Sequence, residues 1–239
     1  MITIGKHRIR SFMTLEYSFS GIRVIEIDLI PVQWTLTIDL APSQKKRKNL
    51  EEIARKAELT YQRIYFWLET VLTQAVCVNT TNAIGMAIAA TSSNVMVMCP
   101  DEPYDEVLVE LLHSKLTALA DGNMLIGSIH LKGSDVTASC SYECPDGLYA
   151  LPDAVQDYVG IDVTSMHSIP WWARNDGFSF EFLKSEENKD IPDDVYFGAF
   201  SDPMQDFDKT MEEIAELAPI IPKEPATIIQ AEKWKPRKV

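Results

Sequence analysis

The chain has 239 residues, 46% of them hydrophobic and 24% charged, with only 10 Gly and 13 Pro. That composition belongs to an ordinary globular protein with enough length to bury a core, and it excludes disordered, fibrous and disulfide-stapled miniature classes. A formal net charge of −13 argues against a general nucleic-acid coat, because phosphate would be repelled over most of the surface.

The start, MITIGKHRIRSF, places charges where a signal peptide needs its apolar core. The most apolar stretch, residues 84–90, is far shorter than the roughly 18 residues of a membrane helix. Four cysteines without a dense framework fit reduced thiols. A cytoplasmic location without membrane contact is therefore expected. The charges are unevenly placed. Residues 1–48 carry eight Lys/Arg and four Asp/Glu, residues 181–216 three bases and twelve acids, and residues 223–239 five bases and two acids. Basic ends thus flank an acidic body.

In chain order, residues 12–19, 22–30 and 32–40 are rich in Thr, Val, Ile and aromatics, and Ser20-Gly21 reads as a tight turn. The expectation is a three-stranded antiparallel meander, with a bulge or register shift near Val24 and an interruption at Pro31. Leu50, Ile53, Ala57, Tyr61, Ile64, Leu68, Val71, Leu72 and Val76 keep the helical apolar stripe for about seven turns, with Asn49 as N-cap. Residues 82–90 and 94–99 read as a hairpin of short apolar strands. A second helix is expected over 104–120, stopped by Asp121-Gly122-Asn123, and a second hairpin over 124–131 and 136–143. Beyond Tyr149 the signals are a short helix at 151–158, a strand at 177–183, an acidic loop over 186–207, and a short helix opened by the capping box at Thr210 and stopped by Pro219.

The expected fold is thus α+β, with antiparallel sheet packed on a long amphipathic helix (about 49–76) and a second helix (about 104–120), in the order β-β-β-α-β-β-α-β-β. Residues 1–183 are expected to form one domain, followed by an acidic loop, short helix and basic tail over 184–239. The helix, hairpin, helix, hairpin, helix order from 49 to 158 is similar to that of small acidic α+β binding domains such as the secretion-chaperone-like folds. That resemblance, carried by element order over less than half of the chain, implies dimerisation and the holding of partner polypeptides.

The hexapeptides CPDEPY (99–104) and CPDGLY (144–149) each follow an expected strand. Pro fixes φ and Asp bonds the backbone ahead of it, so both read as strand-to-helix turns, with Asp101 placed to cap the second helix. A metal reading would recruit Cys77, Cys99, Cys140 and Cys144 with His113 or His130, but the close thiolate pairs of structural zinc are missing. On a strand, Cys140 and Cys144 would stand about 13 Å apart. No metal and no cofactor is expected. His113 and His130 read as packed or surface residues, and no hydrolase, zincin, Walker or dinucleotide motif is present to give them catalytic work. Asp193, Asp194, Asp202, Asp206 and Asp208 lack calcium-loop spacing and read as a solvated acidic surface.

Lys45, Lys46, Arg47 and Lys48 sit where the helix N-terminus already favours anions, and Lys233, Trp234, Lys235, Arg237 and Lys238 join cations to a stacking aromatic. These two clusters carry the alternative of a nucleic-acid or phosphorylated-ligand binder. Trp171, Trp172 and Arg174 combine large apolar area with polar handles, as interface anchors do. The leading expectation is a non-catalytic protein that binds a protein partner or itself, as a homo-oligomer, through those three residues. A hydrolase built on acidic or histidine side chains stands third.

Overall fold

The structure, a computed structural model, describes residues 13–42, 50–92, 94–143, 170–180 and 202–217. It is an α+β fold in which six strands and four helices follow one another as β1 (Met13–Ile25), β2 (Asp28–Pro42), α1 (Leu50–Trp67), β3 (Val76–Asn79), α2 (Ala83–Thr91), β4 (Met96–Cys99), α3 (Asp105–Ala120), β5 (Met124–Gly133), β6 (Cys140–Glu143) and α4 (Pro203–Leu217). The sheet order is β4-β3-β1-β2-β5-β6, with β3 parallel to β1 and to β4 and the remaining pairs antiparallel.

Two long strands replace the expected meander. Met13–Ile25 pairs with Asp28–Leu40 without a break, and the turn falls at Glu26 and Ile27, with Glu26 at φ 53°. Gly21 is in mid-strand because β3 enters there. Ile22 N donates to Ala75 O at 2.9 Å, and a Cβ on Gly21 would lie 2.6 Å from the same oxygen. Pro31 does not interrupt β2. Its pairing with Ile22 is kept, and β5 joins β2 only from Trp34 onward, so no neighbour on that side needs the missing N–H. The register shift lies in β5 rather than at Val24, between the pairs Ile38–Ile129 and Leu40–Ile126.

The long helix is α to Trp67 and then a π turn over Leu68–Leu72, which buries Leu68, Val71 and Leu72. It ends four residues before the expected Val76 because the sheet takes its backbone. Gln74, at φ 63°, donates to Ser20 O at 2.6 Å, and Val76 begins β3. Ala83–Thr91 forms a helix, so the expected hairpin is a strand-helix-strand unit with β3 and β4 parallel. The element order behind the resemblance to secretion-chaperone-like domains is therefore not the order of this chain.

The helix over 104–120 and the second hairpin are present as α3 and as β5 paired with β6. Asp121 at φ 45° and Gly122 at φ 65° close α3. Asp101 does not cap α3; its carboxylate accepts from Glu102 N, and Tyr104 occupies the cap position. The last helix begins seven residues before Thr210, at Pro203, where Asp202 accepts from Met204 N at 2.9 Å. Residues 177–180 are not strand; Ser179 meets β4 through Met98 N to Ser179 O (2.9 Å) and Ser179 Oγ to Met96 O (2.6 Å). The helix expected at 151–158, the Asn49 cap, the second hexapeptide and the Pro219 stop lie outside the described residues.

The main core fills one face of the sheet. Phe19, Trp34, Leu36, Ile38 and Leu131 point into it, and Ile64, Trp67 and Leu72 from the first helix, Leu108, Leu112 and Leu116 from α3, and Trp171 close it. A smaller core of Val24, Val76, Val78 and Ala89 lies on the opposite face beneath α2. Full burial of each large aliphatic group contributes roughly 1.5–3 kcal/mol, so the first core dominates.

Candidate protein-binding surface

Trp171 and Trp172 pack inside this chain, with 0% and 1% of their surface exposed. They form a short 3-10 turn (Trp171–Ala173) held by Lys115 of α3. Lys115 is fully buried. Its ammonium donates to Trp171 O at 3.0 Å, Arg174 O at 2.9 Å and Asp176 Oδ1 at 3.2 Å, and it stands 5.9 Å from the rings of both Trp67 and Trp171. Desolvation pushes its pKa down to about 8, against the opposing pull of Asp176. Trp171 Nε1 donates to Met98 O and Trp67 Nε1 to Gly177 O. Arg174 pairs with Asp176 at 2.8 Å. In the folded chain Trp171 and Trp172 plug the main core, while Arg174 at the end of the turn is only partly buried.

A second buried charge cluster binds β1 to α3. Arg23 donates to Asp105 Oδ1 and, at 3.0 Å, to Asp135 Oδ2, while Asp105 also accepts from Trp34 Nε1 (3.0 Å) and Gly133 N (2.8 Å). Arg23 and Asp105 are buried, so this network is enclosed structure rather than a ligand-accessible centre. Cys77 and Cys99 are also enclosed, and burial pushes the Cys77 thiol up to about 12, which leaves it protonated and unreactive. Among the described residues no cluster of His, Cys, Asp and Glu has the geometry to hold a metal ion. Asp202 is spent on Gly177 N and Met204 N, Asp208 faces Arg63 at 3.6 Å, and Asp206 is exposed. Asp193, Asp194, Lys45, Lys46, Arg47, Lys48, Lys233, Trp234, Lys235, Arg237 and Lys238 lie outside the described residues.

The two histidines go to opposite sides of the sheet. His113 is buried in α3, bonded to the backbone of Gly127 in the irregular part of β5, with its ring 4.8 Å from Tyr142 and Nε2 without a partner. His130 is exposed on the outer face, in one cross-strand row with Thr37 and Glu16. Asp39, on the same face, accepts from Thr14 (2.9 Å) and Ser128 (2.6 Å), and the Ser128 bond leads the effects that hold its carboxyl below the usual range. Ser128 thus bonds the carboxylate directly, without an imidazole between them. The row is a polar platform and does not form a nucleophile-base pair.

Beside that platform lies an apolar shelf. Asn82 starts α2 by accepting from Gly85 N at 2.9 Å and reaches across to Glu26 O at 2.6 Å, so the helix start is tied to the β1–β2 turn. Ile84, in the first turn of α2, is 56% exposed, and Ile27, in the turn that Asn82 holds, is 67% exposed. Leu29, 50% exposed, pairs with Val24, which lies under α2; paired residues share a sheet face, so Leu29 extends the same surface. Glu26 is exposed on the turn, whereas Asp28, paired with Ile25, and Glu102, which accepts from Asn79 Nδ2 at 3.3 Å, lie toward the main-core face. Between Arg63 and Lys115 the sequence contains no Lys or Arg. That gap covers α2 and Ile84, and strand assignment of residues 82–90 concealed the helix that exposes Ile84.

No helix of the described residues is long and apolar enough to cross a membrane. No protein-family model matches the chain, and no curated protein matches it significantly.

Proposed function

We propose that this chain is a non-catalytic binding or assembly protein that associates with further copies of itself, and that the α2 shelf is one half of the contact. The observation that carries this reading is the exposure of the aliphatic groups of Ile27, Leu29 and Ile84 at the end of the fold where Asn82 ties α2 to the β1–β2 turn. Interface cores are depleted of charge, and adjoining exposed aliphatic groups mark such surfaces. At a net charge of −13, copies repel one another wherever acidic surface meets acidic surface. Contact is favourable only where charge is absent or where a basic segment of one copy meets an acidic rim of another.

Size-exclusion chromatography with light scattering over a range of concentrations tests this. The expected mass exceeds the 27.0 kDa of one chain, and Ile84→Asp returns it to the monomer with an unchanged circular dichroism spectrum. A strict monomer at high concentration would remove the proposal.

A further inference from the structure

We infer that the edge of β1 between Met13 and Phe19 receives an extended segment of a separate polypeptide as a further strand, and that this segment alternates apolar and basic side chains. The edge lies at the end of β1 away from the shelf, so the inference is independent of the contact proposed above.

β1 pairs with β2 along its whole length, but β3 joins its other side only at Ile22–Val24. At that junction Ser20 O accepts from Gln74 N and Ile22 N donates to Ala75 O, so the backbone groups of Ser20 and Ile22 turn away from β2. Antiparallel pairing alternates residue by residue, which turns the N–H and C=O groups of Thr14, Glu16 and Ser18 to the same side. All three residues are exposed, and among the described residues no strand pairs with them there. The result is roughly 13 Å of open sheet edge, closed at one end by Gln74. Such an edge takes an added strand through its backbone, and the side chains beside it set which strand fits.

On one side the wall is aromatic. Met13 pairs with Leu40 and Tyr17 with Leu36, so Met13, Leu15 and Tyr17 share the main-core face, and all three remain partly or largely exposed. Tyr65 of α1, also exposed, meets Tyr17 edge-on at 5.7 Å, and Thr73 holds the Tyr17 hydroxyl at 2.8 Å. The charge beside the edge is negative. Glu16 projects from the other face of β1, and Glu69, exposed at the end of the first helix, joins burial and Tyr65 in raising the Tyr17 pKa against the Thr73 bond. The single cation of β1, Arg23, is buried. An added strand therefore sets apolar groups against Leu15 and Tyr17 and cations against Glu16 and Glu69. The same edge of a second copy fits less well, because two Glu16 and two Glu69 would then line one seam, and opposed like charges destabilise a strand pair. A hairpin from the residues ahead of Met13 would need Gly, Asn or Asp at its turn; Gly5 is the only one among them, and four residues precede it.

The test titrates a fluorescent peptide of alternating Lys and Val onto the full chain, beside two versions N-methylated at every Lys or at every Val. Both keep the charge, and only one set of amides faces β1 in an added strand. One methylation is expected to weaken binding roughly tenfold or more, since several hydrogen bonds are lost together, and the other to leave it unchanged. Ser18→Pro, which removes an outward N–H and leaves the β2 ladder intact, should weaken binding with an unchanged circular dichroism spectrum. Glu16→Lys gives the same readout if the proline disturbs the strand. Residue-resolved hydrogen exchange places the contact, and bound peptide should slow the Thr14, Glu16 and Ser18 amides. Equal affinity of the two methylated peptides, or slowing confined to other residues, overturns the site. Slow exchange of those three amides in the free chain overturns the separate polypeptide; a dependence on protein concentration would then identify a second copy as the occupant, and its absence the chain itself.

Discussion

Arg23 shows how a single buried charge organises this fold. Its guanidinium lies 5.5 Å from the Trp34 ring centroid and is answered by two carboxylates, and Asp105 satisfies three donors from three different segments. A buried pair of this kind contributes little net stability, yet removing one partner leaves an uncompensated ion. Asp105→Asn is expected to cost about 3–5 kcal/mol by urea unfolding. Arg23→Met with Asp105→Asn should cost less than the sum of the two single changes, and strict additivity would show that the two groups are not coupled. His113 sets a second expectation. Burial lowers its pKa from the ordinary 6.5, opposed by the Gly127 bond. The unfolded chain takes up a proton near pH 6.5 while the folded chain resists, so this contribution is complete above 6.5 and is lost as pH falls through the folded value. His113→Asn, which keeps a donor in reach of Gly127, should flatten that part of a melting-temperature profile; an unchanged profile would place the proton uptake elsewhere.

At the level of elements, the strand-helix-strand insertion governs what the rest of the sheet can do. Gly21 is the tightest point, because β3 joins β1 where the Ala75 carbonyl accepts from Ile22 and crowds the missing Cβ. Gly21→Ala is expected to destabilise the chain by about 1–3 kcal/mol through overpacking, measured by thermal or urea unfolding; a neutral result would mean that the β1–β3 junction relaxes freely. Ser20-Gly21 has the composition of a turn, and only the later strand reveals that the glycine serves close approach. The same limit explains α2. A short run that is apolar all round, as in residues 83–90, has no period to separate helix from strand, and Asn82, the residue that decides it, is an N-cap only once Gly85 N points at it. Amphipathic α1, α3 and the β5–β6 hairpin were legible because apolar spacing or turn residues marked them. The end of α1 was not, since Ala75 and Val76 continue the apolar stripe while being buried by sheet pairing. For the site, Trp171 and Trp172 carry interface chemistry in sequence, but the buried ammonium of Lys115, 56 residues before Trp171 in the chain, draws them inward.

Across the whole molecule, charge is segregated as sharply as hydrophobicity. Residues 64–114 supply β3, α2, β4 and the first part of α3 without one Lys or Arg, while the cations gather in the first 63 residues and the last 17. The self-association proposed above carries a salt signature that tests which forces drive it. The screening length shrinks from about 10 Å at 0.1 M ionic strength to about 3 Å at 1 M, so a contact in which a basic segment of one copy meets acidic surface of another should weaken by roughly tenfold or more over that range. A contact formed by apolar burial alone would hold in sodium chloride and strengthen in sulfate, which is excluded from protein surface. Sedimentation velocity at both ionic strengths separates the two. Replacing Glu26 by Lys should weaken association at low salt and reduce its salt dependence, because the turn end of the shelf would then repel the cations of another copy. Unaltered association in that variant would show that the turn end of the shelf lies outside the contact.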